Sequence, residues 1–265
     1  MKTIVITGST RGLGYGLADA FLAMGCQVMV SGRTRAGVDA AVGRLAESQE
    51  QGRIQGQACD VREHEQVQAL WEAALERFGQ VDIWINNAGI GQGMMKFWEI
   101  EADQIKEIVE TNLTGTMFGA RVAIQGMLAQ GFGAVYNMEG SGSDGRGGHG
   151  LTVYGSSKRG GRFLTDALIE EVADTPVIVG ALSPGMLVTE LVTSQMEPNS
   201  ENGERLKRIM NIIADRVETV APWLAERVLA NLKNGASMRW LTRGKVLWRF
   251  LTAPLHKRDL FQERD

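Results

Sequence analysis

Tyr154 and Lys158 are the two residues whose types and spacing point most directly to chemistry. They lie four residues apart at the start of a segment with helical periodicity, so both side chains fall on one helix face. A phenol ordinarily has a pKa of about 10, and a neighbouring ammonium group lowers that value. Such a pair could protonate the alkoxide that forms when hydride reaches a carbonyl carbon. The same spacing is also common among surface residues, so the rest of the chain must decide.

A glycine-rich turn near the N-terminus forms a second candidate site. It follows a first apolar strand and precedes a helix of apolar periodicity. Glycines allow a sharp turn and let a pyrophosphate approach the backbone, while the helix N-terminus presents free N–H groups and partial positive charge. The turn therefore predicts a dinucleotide site. We expect the cofactor to contact Gly8, Ser9, Thr10, Arg11, Gly12, Leu13 and Gly14.

The end of the second predicted strand indicates which dinucleotide is bound. An acidic residue there would bond the ribose 2′-hydroxyl of NAD, but this chain has Arg33. Arg33 and Arg11 could both form charged hydrogen bonds to a 2′-phosphate, each contributing about 1.5 to 3 kcal/mol. The alternative is that both arginines are solvated surface charges. The sequence favours NADPH as the cofactor.

Further polar groups follow the third and fourth predicted strands, at the edge where ligands collect in parallel sheets. Asp60, followed by Val61, would place an acceptor near an adenine amino group. The fourth strand ends at Asn86. We expect the next three residues, Asn87, Ala88 and Gly89, to line the cofactor site.

Short β-branched runs alternate with longer segments of helical period along the chain, which predicts a parallel sheet with helices on both faces. Strands are predicted near 3–7, 27–31, 54–59, 81–86, 133–138, 177–182 and 237–241, and helices near 12–25, 36–49, 63–78, 102–130, 152–173 and 204–233. No Pro-rich or Ser-rich linker divides the chain. We therefore predict one α/β domain over 1–265, with an insertion at about 187–217 and a basic, aromatic C-terminal tail at about 243–265.

Composition excludes several classes of protein. The 265 residues are 44% hydrophobic, which excludes full disorder, and a net charge of −3 gives no indication of nucleic-acid binding. Two cysteines are too few for a disulfide scaffold, and the three scattered histidines lack metal-ligand spacing, so no metal is predicted. Met1 and Lys2 lead directly into the first strand, which leaves no room for a signal or transit peptide and favours a cytoplasmic location.

Taken in order along the chain, these motifs resemble those of the short-chain dehydrogenase/reductase family. The resemblance is carried by Thr7 to Gly14, Asp60, Asn86 to Gly89, Asn112, Ser141, Tyr154, Lys158, Ser183-Pro184-Gly185 and Thr189. It implies a doubly wound, seven-stranded Rossmann sheet of strand order 3-2-1-4-5-6-7. It also implies a homodimer or homotetramer.

The resemblance further implies roles for individual residues. Tyr154 would be the general acid, and Lys158 would hold the ribose hydroxyls and lower the tyrosine pKa. A serine would orient the substrate carbonyl, and Asn112 would support a water-linked proton relay. The Pro184-Gly185 turn and Thr189 would bind the cofactor, with Thr189 against the nicotinamide.

The identity of that serine is open. Ser141 stands 13 residues before Tyr154, the usual spacing in the family. If the fifth strand fixes the alignment instead, Gly140 falls in the serine's place and Ser143 becomes a rival. Glu139 would then lie at the rim of the active site, where a carboxylate is unusual for the family, unless it is a solvated loop acid.

A narrower resemblance concerns the chlorophyll b reductase branch of this family. It is carried by residues 137–145, 154–158 and 183–191, and it continues into 210–214 and 239–242. It implies a bacterial relative that uses NADPH to reduce the formyl group of a tetrapyrrole pigment to a hydroxymethyl group. The alternatives are a reductase of another bulky apolar ketone or aldehyde, and a dinucleotide-binding sensor or scaffold that does no chemistry.

Apolar residues near the predicted site suit a large flat substrate. They are Met94, Met95, Phe97, Trp98, Met186, Leu187, Leu191 and Met196. The tail mixes aromatic with basic residues, as does a helix that lies on an anionic membrane surface. Because Gly244 and Pro254 keep that helix short, we favour the alternative that the tail covers the pocket or packs on a partner subunit.

Overall fold

Seven strands form one parallel sheet in a computed structural model that describes residues 1–146, 150–189, 201–256 and 258–261. The strands are β1 Thr3–Ile6, β2 Gln27–Gly32, β3 Ile54–Ala58, β4 Ile83–Asn86, β5 Gly133–Met138, β6 Val177–Ser183 and β7 Ser237–Arg239. Their order across the sheet is 3-2-1-4-5-6-7, and every neighbouring pair runs parallel. The predicted doubly wound α/β fold is confirmed.

Helices cover both faces of this sheet. They are α1 Gly12–Ala23, α2 Arg35–Ala46, α3 His64–Phe78, α4 Ala102–Val109, α5 Gly115–Gln130, α6 Thr152–Glu171, α7 Glu201–Ile213, α8 Val217–Ala230 and α9 Arg243–Thr252. One hydrophobic cluster packs α1 and α8 on the sheet, and a second packs α3 and α5. Residues 4–6 of β1 are fully buried as a result, as expected for the continuously apolar sequence of an inner parallel strand.

The helix predicted at 102–130 is interrupted where Asn112 lies. A π-helical turn, Glu110–Thr114, separates α4 from α5. The side chain of Asn112 accepts from the backbone N–H of Ile90 at 2.8 Å and donates to its carbonyl oxygen at 2.9 Å. These two bonds hold the turn against the loop after β4. A hydrophobic pattern of ordinary helical period gives no signal for such an insertion.

The single helix predicted at 204–233 is wrong, because α7 and α8 are separated at 214–216. The backbone of Asp215 pairs instead with the start of the predicted insertion. Its N–H donates to the carbonyl oxygen of Met186, and its carbonyl oxygen accepts from Val188, both at 3.0 Å. Long-range pairing thus overrides the local helical pattern. Residues 190–200 of the predicted insertion lie outside the described residues.

The predicted C-terminal tail forms α9, which packs on α7. Thr242 caps this helix, since its Oγ1 accepts from the N–H of Lys245 at 3.2 Å. Across the described residues, no helix combines the length and the apolar character that a bilayer crossing requires.

Candidate active site

A crevice of about 940 Å³ opens at the carboxyl edge of the sheet. Strand order reverses there between β1 and β4, the place where ligands bind in such sheets. The predicted site residues that line it are Gly8, Thr10, Arg11, Gly12, Leu13, Gly14, Arg33, Asp60, Val61, Asn87, Ala88, Gly89, Ser141, Tyr154, Lys158, Pro184, Gly185 and Thr189. Ser9 and Asn112 are the predicted residues outside this lining.

The glycine-rich turn forms a cradle that side chains would fill. Gly8 has a φ of +62°, a conformation that favours glycine. At Gly14, an added Cβ would collide with the carbonyl oxygen of Gly8 and with Asn87 Nδ2. Asn87 holds the turn from the adjacent strand end, because its Nδ2 donates to the carbonyl oxygens of Thr7 and Gly8, both at 2.9 Å. This cradle and the N-terminus of α1 fit the pyrophosphate of a dinucleotide.

The side chain of Ser9 is directed into the sheet and away from the crevice. Its Oγ donates to the carbonyl oxygen of Ile6 at 2.8 Å and accepts from the N–H of Ser31 at 2.9 Å. The backbone N–H of Ser9 is also used, since it donates to the carbonyl oxygen of Ser31 at 2.8 Å. The prediction that Ser9 contacts the cofactor is therefore wrong. Its hydrogen bonds join the turn to β2.

Opposite charges meet at the end of the crevice beside β2 and β3. Arg33 Nη1 lies 3.3 Å from Glu107 Oε1 on α4, with both side chains partly exposed. Asp60 pairs with Arg62 at 2.6 Å, and this hydrogen-bonded guanidinium lowers the pKa of the Asp60 carboxyl group. Arg33 is therefore a partly exposed group that lines the crevice and pairs with Glu107.

Helix α6 carries Tyr154 and Lys158 on the face that lines the crevice. Lys158 is buried, and its Nζ donates to the carbonyl oxygen of Met138 at 3.2 Å. The same Nζ lies 5.8 Å from the centre of the Tyr154 ring. The two side chains are thus held together at the ends of β5 and β4.

Burial dominates the acid–base properties of this pair. It raises the pKa of Tyr154 to about 12 and lowers the pKa of Lys158 to about 8. In the chain without a bound cofactor the phenol pKa is thus raised and not lowered, because loss of water disfavours the phenolate. The phenol therefore stays protonated across the physiological range, as a proton donor must.

Gln92 positions Tyr154, and sequence analysis missed it. Its side chain is fully buried, and its Oε1 accepts from the N–H groups of Val153 at 2.9 Å and Tyr154 at 3.0 Å. Its Nε2 donates to the carbonyl oxygen of Gly150 at 2.8 Å. Gln92, about sixty positions earlier in the chain, thus accepts hydrogen bonds from N–H groups in the first turn of α6 that have no partner within the helix. No local sequence signal indicates this contact.

Glu139 is a buried ion-pair residue and not a solvated loop acid. It is 8% exposed, and its Oε1 accepts from Arg162 Nη1 at 2.6 Å while its Oε2 accepts from Arg239 Nη2 at 3.4 Å. Arg162 lies on α6 one turn after Lys158. The Glu139 carboxylate opposes the lowering of the Lys158 pKa by burial.

The loop after β5 separates the two candidate serines. At Gly140, an added Cβ would collide with Tyr154 Oη and lie 3.3 Å from Lys158 Cε, so only glycine fits beside the pair. Ser143 is buried, and its Oγ accepts from the N–H of Gly140 at 3.1 Å and donates to the carbonyl oxygen of Lys158 at 3.3 Å. Both serines line the crevice, and Ser141 is exposed. The geometry favours Ser141 for ligand contact and Ser143 for holding the loop on α6.

Apolar side chains line the remainder of the crevice. Five of them form what we term the apolar wall: Met186, Leu187, Leu206, Ile213 and Leu241. Met94 also lines the crevice, while Phe97 and Trp98 are 52% and 78% exposed. Two residues of the apolar set predicted from sequence, Leu191 and Met196, lie outside the described residues.

The tail turns two of its basic residues inward. Arg249 and Arg258 both pair with Asp215 of the same chain. The outward side of the tail is apolar, with exposed Leu247, Trp248, Leu251 and Leu255. The expected membrane or subunit contact of this surface stays a prediction.

The sequence of residues 2–200 matches the family model described as short chain dehydrogenase. The chain belongs to the short-chain dehydrogenase family. The matched residues extend from β1 to β6, and they include the glycine-rich turn and the Tyr154–Lys158 pair.

Curated relatives of this short-chain dehydrogenase include plant chlorophyll(ide) b reductases. It is 34% identical over 279 residues to the probable chlorophyll(ide) b reductase NYC1 of Arabidopsis thaliana, covering 99% of this chain and 55% of the relative. It is 36% identical over 232 residues to the chlorophyll(ide) b reductase NOL of Oryza sativa subsp. japonica, covering 86% of this chain and 66% of the relative. The chain spans about half the length of the NYC1 proteins it matches.

Solved structures of two reductases have the same fold as this chain. A 3-ketoacyl-(acyl-carrier-protein) reductase from Brucella melitensis, complexed with NADH, superposes with a TM-score of 0.78 at 27% identity, covering 90% of this chain and 96% of that one. An actinorhodin polyketide ketoreductase variant with NADPH superposes with a TM-score of 0.80 at 29% identity, covering 90% and 95%. Both of these neighbours were solved with a nicotinamide dinucleotide.

Proposed function

We propose that the protein is an NADPH-dependent reductase that converts the formyl group of a chlorophyll b-type tetrapyrrole to a hydroxymethyl group. The observation that carries the reaction class is that partly buried Tyr154 and buried Lys158 line the same crevice as the glycine-rich turn. The substrate is supported by the likeness to chlorophyll(ide) b reductases, which extends over 99% of the chain and includes the apolar wall and the tail.

The proposed cofactor site uses the residues that fit a dinucleotide. The glycine-rich turn and the N-terminus of α1 would hold the pyrophosphate, and Asp60 with Val61 would lie by the adenine. The loop after β4 and the turn before Thr189 would hold the nicotinamide end. The bound dinucleotide would supply the hydride for the carbonyl carbon.

Tyr154 then supplies the proton in the proposed mechanism. Its hydroxyl, held protonated by burial, donates to the carbonyl oxygen as negative charge develops there. Lys158 places a positive charge beside the phenol and stabilises the phenolate left after transfer. Ser141 is proposed to donate a hydrogen bond to the same oxygen. Asn112 is proposed to act through water, since its side-chain amide is bonded to Ile90 and to Ser157 Oγ.

The preference for NADPH rests on Arg33. A 2′-phosphate would replace Glu107 as the partner of the Arg33 guanidinium, and Arg62 lies on the other side of Asp60. Hydrogen bonds to charged groups contribute about 1.5 to 3 kcal/mol each, enough to favour NADPH by an order of magnitude or more.

The proposed substrate fits the apolar character of the crevice. The apolar wall and Met94 offer thioether and aliphatic surface to a flat ring system. Another bulky apolar ketone or aldehyde would use the same wall, and it is the second candidate. A homo-oligomer is part of the same proposal, since the family resemblance implies one.

The test is turnover by purified protein with NADPH and chlorophyllide b, followed by absorbance and by mass spectrometry. The expected product has gained two hydrogens at the formyl group. Tyr154→Phe should lower kcat by about 100-fold or more, with NADPH binding nearly unchanged. Reduction of a smaller ketone while the pigment is untouched would exclude the pigment proposal. Normal turnover in Tyr154→Phe would exclude the proposed mechanism.

A further inference from the structure

Asp215 is a buried carboxylate that takes no part in the proposed chemistry. It is 5% exposed, and its Oδ2 accepts from Trp240 Nε1 at 2.5 Å and lies 2.8 Å from Arg249 Nη2, which donates to Oδ1 at 3.0 Å. Its Oδ1 accepts from Arg258 Nη2 at 2.9 Å. Two guanidinium groups and an indole N–H thus converge on one carboxylate. A buried charge of this kind is tolerated only while its partners are in place.

The same residue fixes the segment that follows β6. Its backbone accepts from the N–H of Val188 and donates to the carbonyl oxygen of Met186, both at 3.0 Å. Asp215 therefore joins two parts of the chain through its backbone and a third part, the tail, through its side chain.

Two arginines of the tail also cap the C-terminal end of α7. Arg249 Nη1 donates to the carbonyl oxygen of Ile213 at 2.8 Å, and Arg258 donates to those of Ile212 at 3.2 Å and Ala214 at 2.9 Å. The last carbonyl groups of a helix lack partners within it and carry partial negative charge. The tail thus holds α7 at its C-terminal end with both hydrogen bonds and charge.

The apolar wall is built from the segments that Asp215 joins. Met186 and Leu187 belong to the segment after β6, Leu206 and Ile213 to α7, and Leu241 follows Trp240. Each segment ends within a few residues of an Asp215 contact. Displacement of any one of them would change the shape of the wall.

We propose that Asp215 is a positioning residue for the substrate and that the C-terminal tail is a clasp which, through Asp215, holds the apolar wall in one shape. The proposal rests on the proposed function in one respect, that the apolar wall is where the substrate lies. It assigns the tail an intramolecular role in substrate recognition, set by Arg249, Arg258 and Trp240.

The first experiment measures the clasp without any substrate. Hydrogen–deuterium exchange is compared between the parent protein, Asp215→Asn and a matched control, Asp39→Asn, which removes the same charge from an exposed helical pair with Arg35. Asp215→Asn should speed amide exchange about tenfold or more at 186–188, 206–214 and 243–256, and leave α6 unchanged. Asp39→Asn should change none of these segments. Unchanged exchange in the tail of Asp215→Asn would overturn the clasp.

The second experiment separates positioning from general stability. Asp215→Asn and Arg249→Gln should each raise KM for chlorophyllide b by about tenfold, with kcat at saturation and the dissociation constant of NADPH nearly unchanged. The double variant should be no worse than the single ones, since both remove one clasp. A KM equal to that of the parent protein, in a variant whose tail exchanges faster, would overturn the positioning role.

Failure of the proposed function gives a different pattern of results. If the parent protein leaves the pigment unreduced, the exchange experiment still tests the clasp, and KM is measured with whichever ketone is turned over. If Asp215→Asn does not fold, Arg249→Gln and Arg258→Gln carry both measurements, because each leaves one guanidinium group on the carboxylate.

Discussion

Lys158 carries its charge where water is largely excluded, so neighbouring groups decide its protonation. Burial lowers its pKa to about 8, and the Glu139 carboxylate opposes that change. Arg162 and Arg239 pair with Glu139 and reduce its influence. If charged Lys158 is required, kcat/KM should fall as pH rises through about 8, because the protonated form is then lost.

In Glu139→Gln this fall in kcat/KM, the alkaline limb of the pH profile, should occur about one pH unit lower. The substitution removes the negative charge that favours the ammonium form of Lys158. The two arginines left without their partner act in the same direction. The measurement is kcat/KM against pH, with Asp166→Asn as control, because Asp166 shares Arg162 but is half exposed. A limb that stays in place in Glu139→Gln would show that Glu139 does not set the charge of Lys158.

At this scale the sequence predicted the reacting groups better than their supports. Tyr154 and Lys158 are four residues apart, so helical geometry alone pairs them. By contrast, Gln92 is 62 residues from its partner Tyr154 in sequence. Arg239 is 100 residues from its partner Glu139. Such contacts depend on how strand ends converge, and a single sequence contains no local record of that.

Among the elements, the N-terminus of α6 depends on a side chain from another loop. Gln92 accepts two of its first N–H groups, and loss of that acceptor would leave them buried and unpaired. Sequence patterns predicted this helix closely, yet they missed the π-helical turn at Glu110–Thr114 and the break at Asp215. Both exceptions are places where a long-range hydrogen bond outweighs the local helical preference.

Gln92→Leu should therefore displace Tyr154 and lower kcat by about ten- to a hundredfold, with little change in NADPH binding. Gln92→Glu should retain more activity, because a carboxylate still accepts both N–H groups and favours a helix N-terminus. The measurements are steady-state kinetics together with the dissociation constant of NADPH for each variant. Equal kcat in Gln92→Leu and the parent protein would show that α6 is positioned without Gln92.

For the whole molecule, the crevice couples cofactor binding to global stability. Its lining comes from the carboxyl ends of β1 to β6, so a ligand there contacts segments that separate on unfolding. A ligand at 100 times its dissociation constant stabilises the folded state by about 2.7 kcal/mol. For a chain of 265 residues this corresponds to an increase in Tm of about 5 °C.

The size of that increase should depend on Arg33. At equal concentration NADPH should raise Tm more than NADH, and Arg33→Ala should remove the difference by weakening only the NADPH effect. Glu107→Gln is the matched variant, since it removes the carboxylate that competes for the Arg33 guanidinium and should enlarge the NADPH effect. Differential scanning fluorimetry over a range of each dinucleotide provides the measurement. Equal effects of NADPH and NADH on the parent protein would mean that the arginine beside β2 does not select the cofactor.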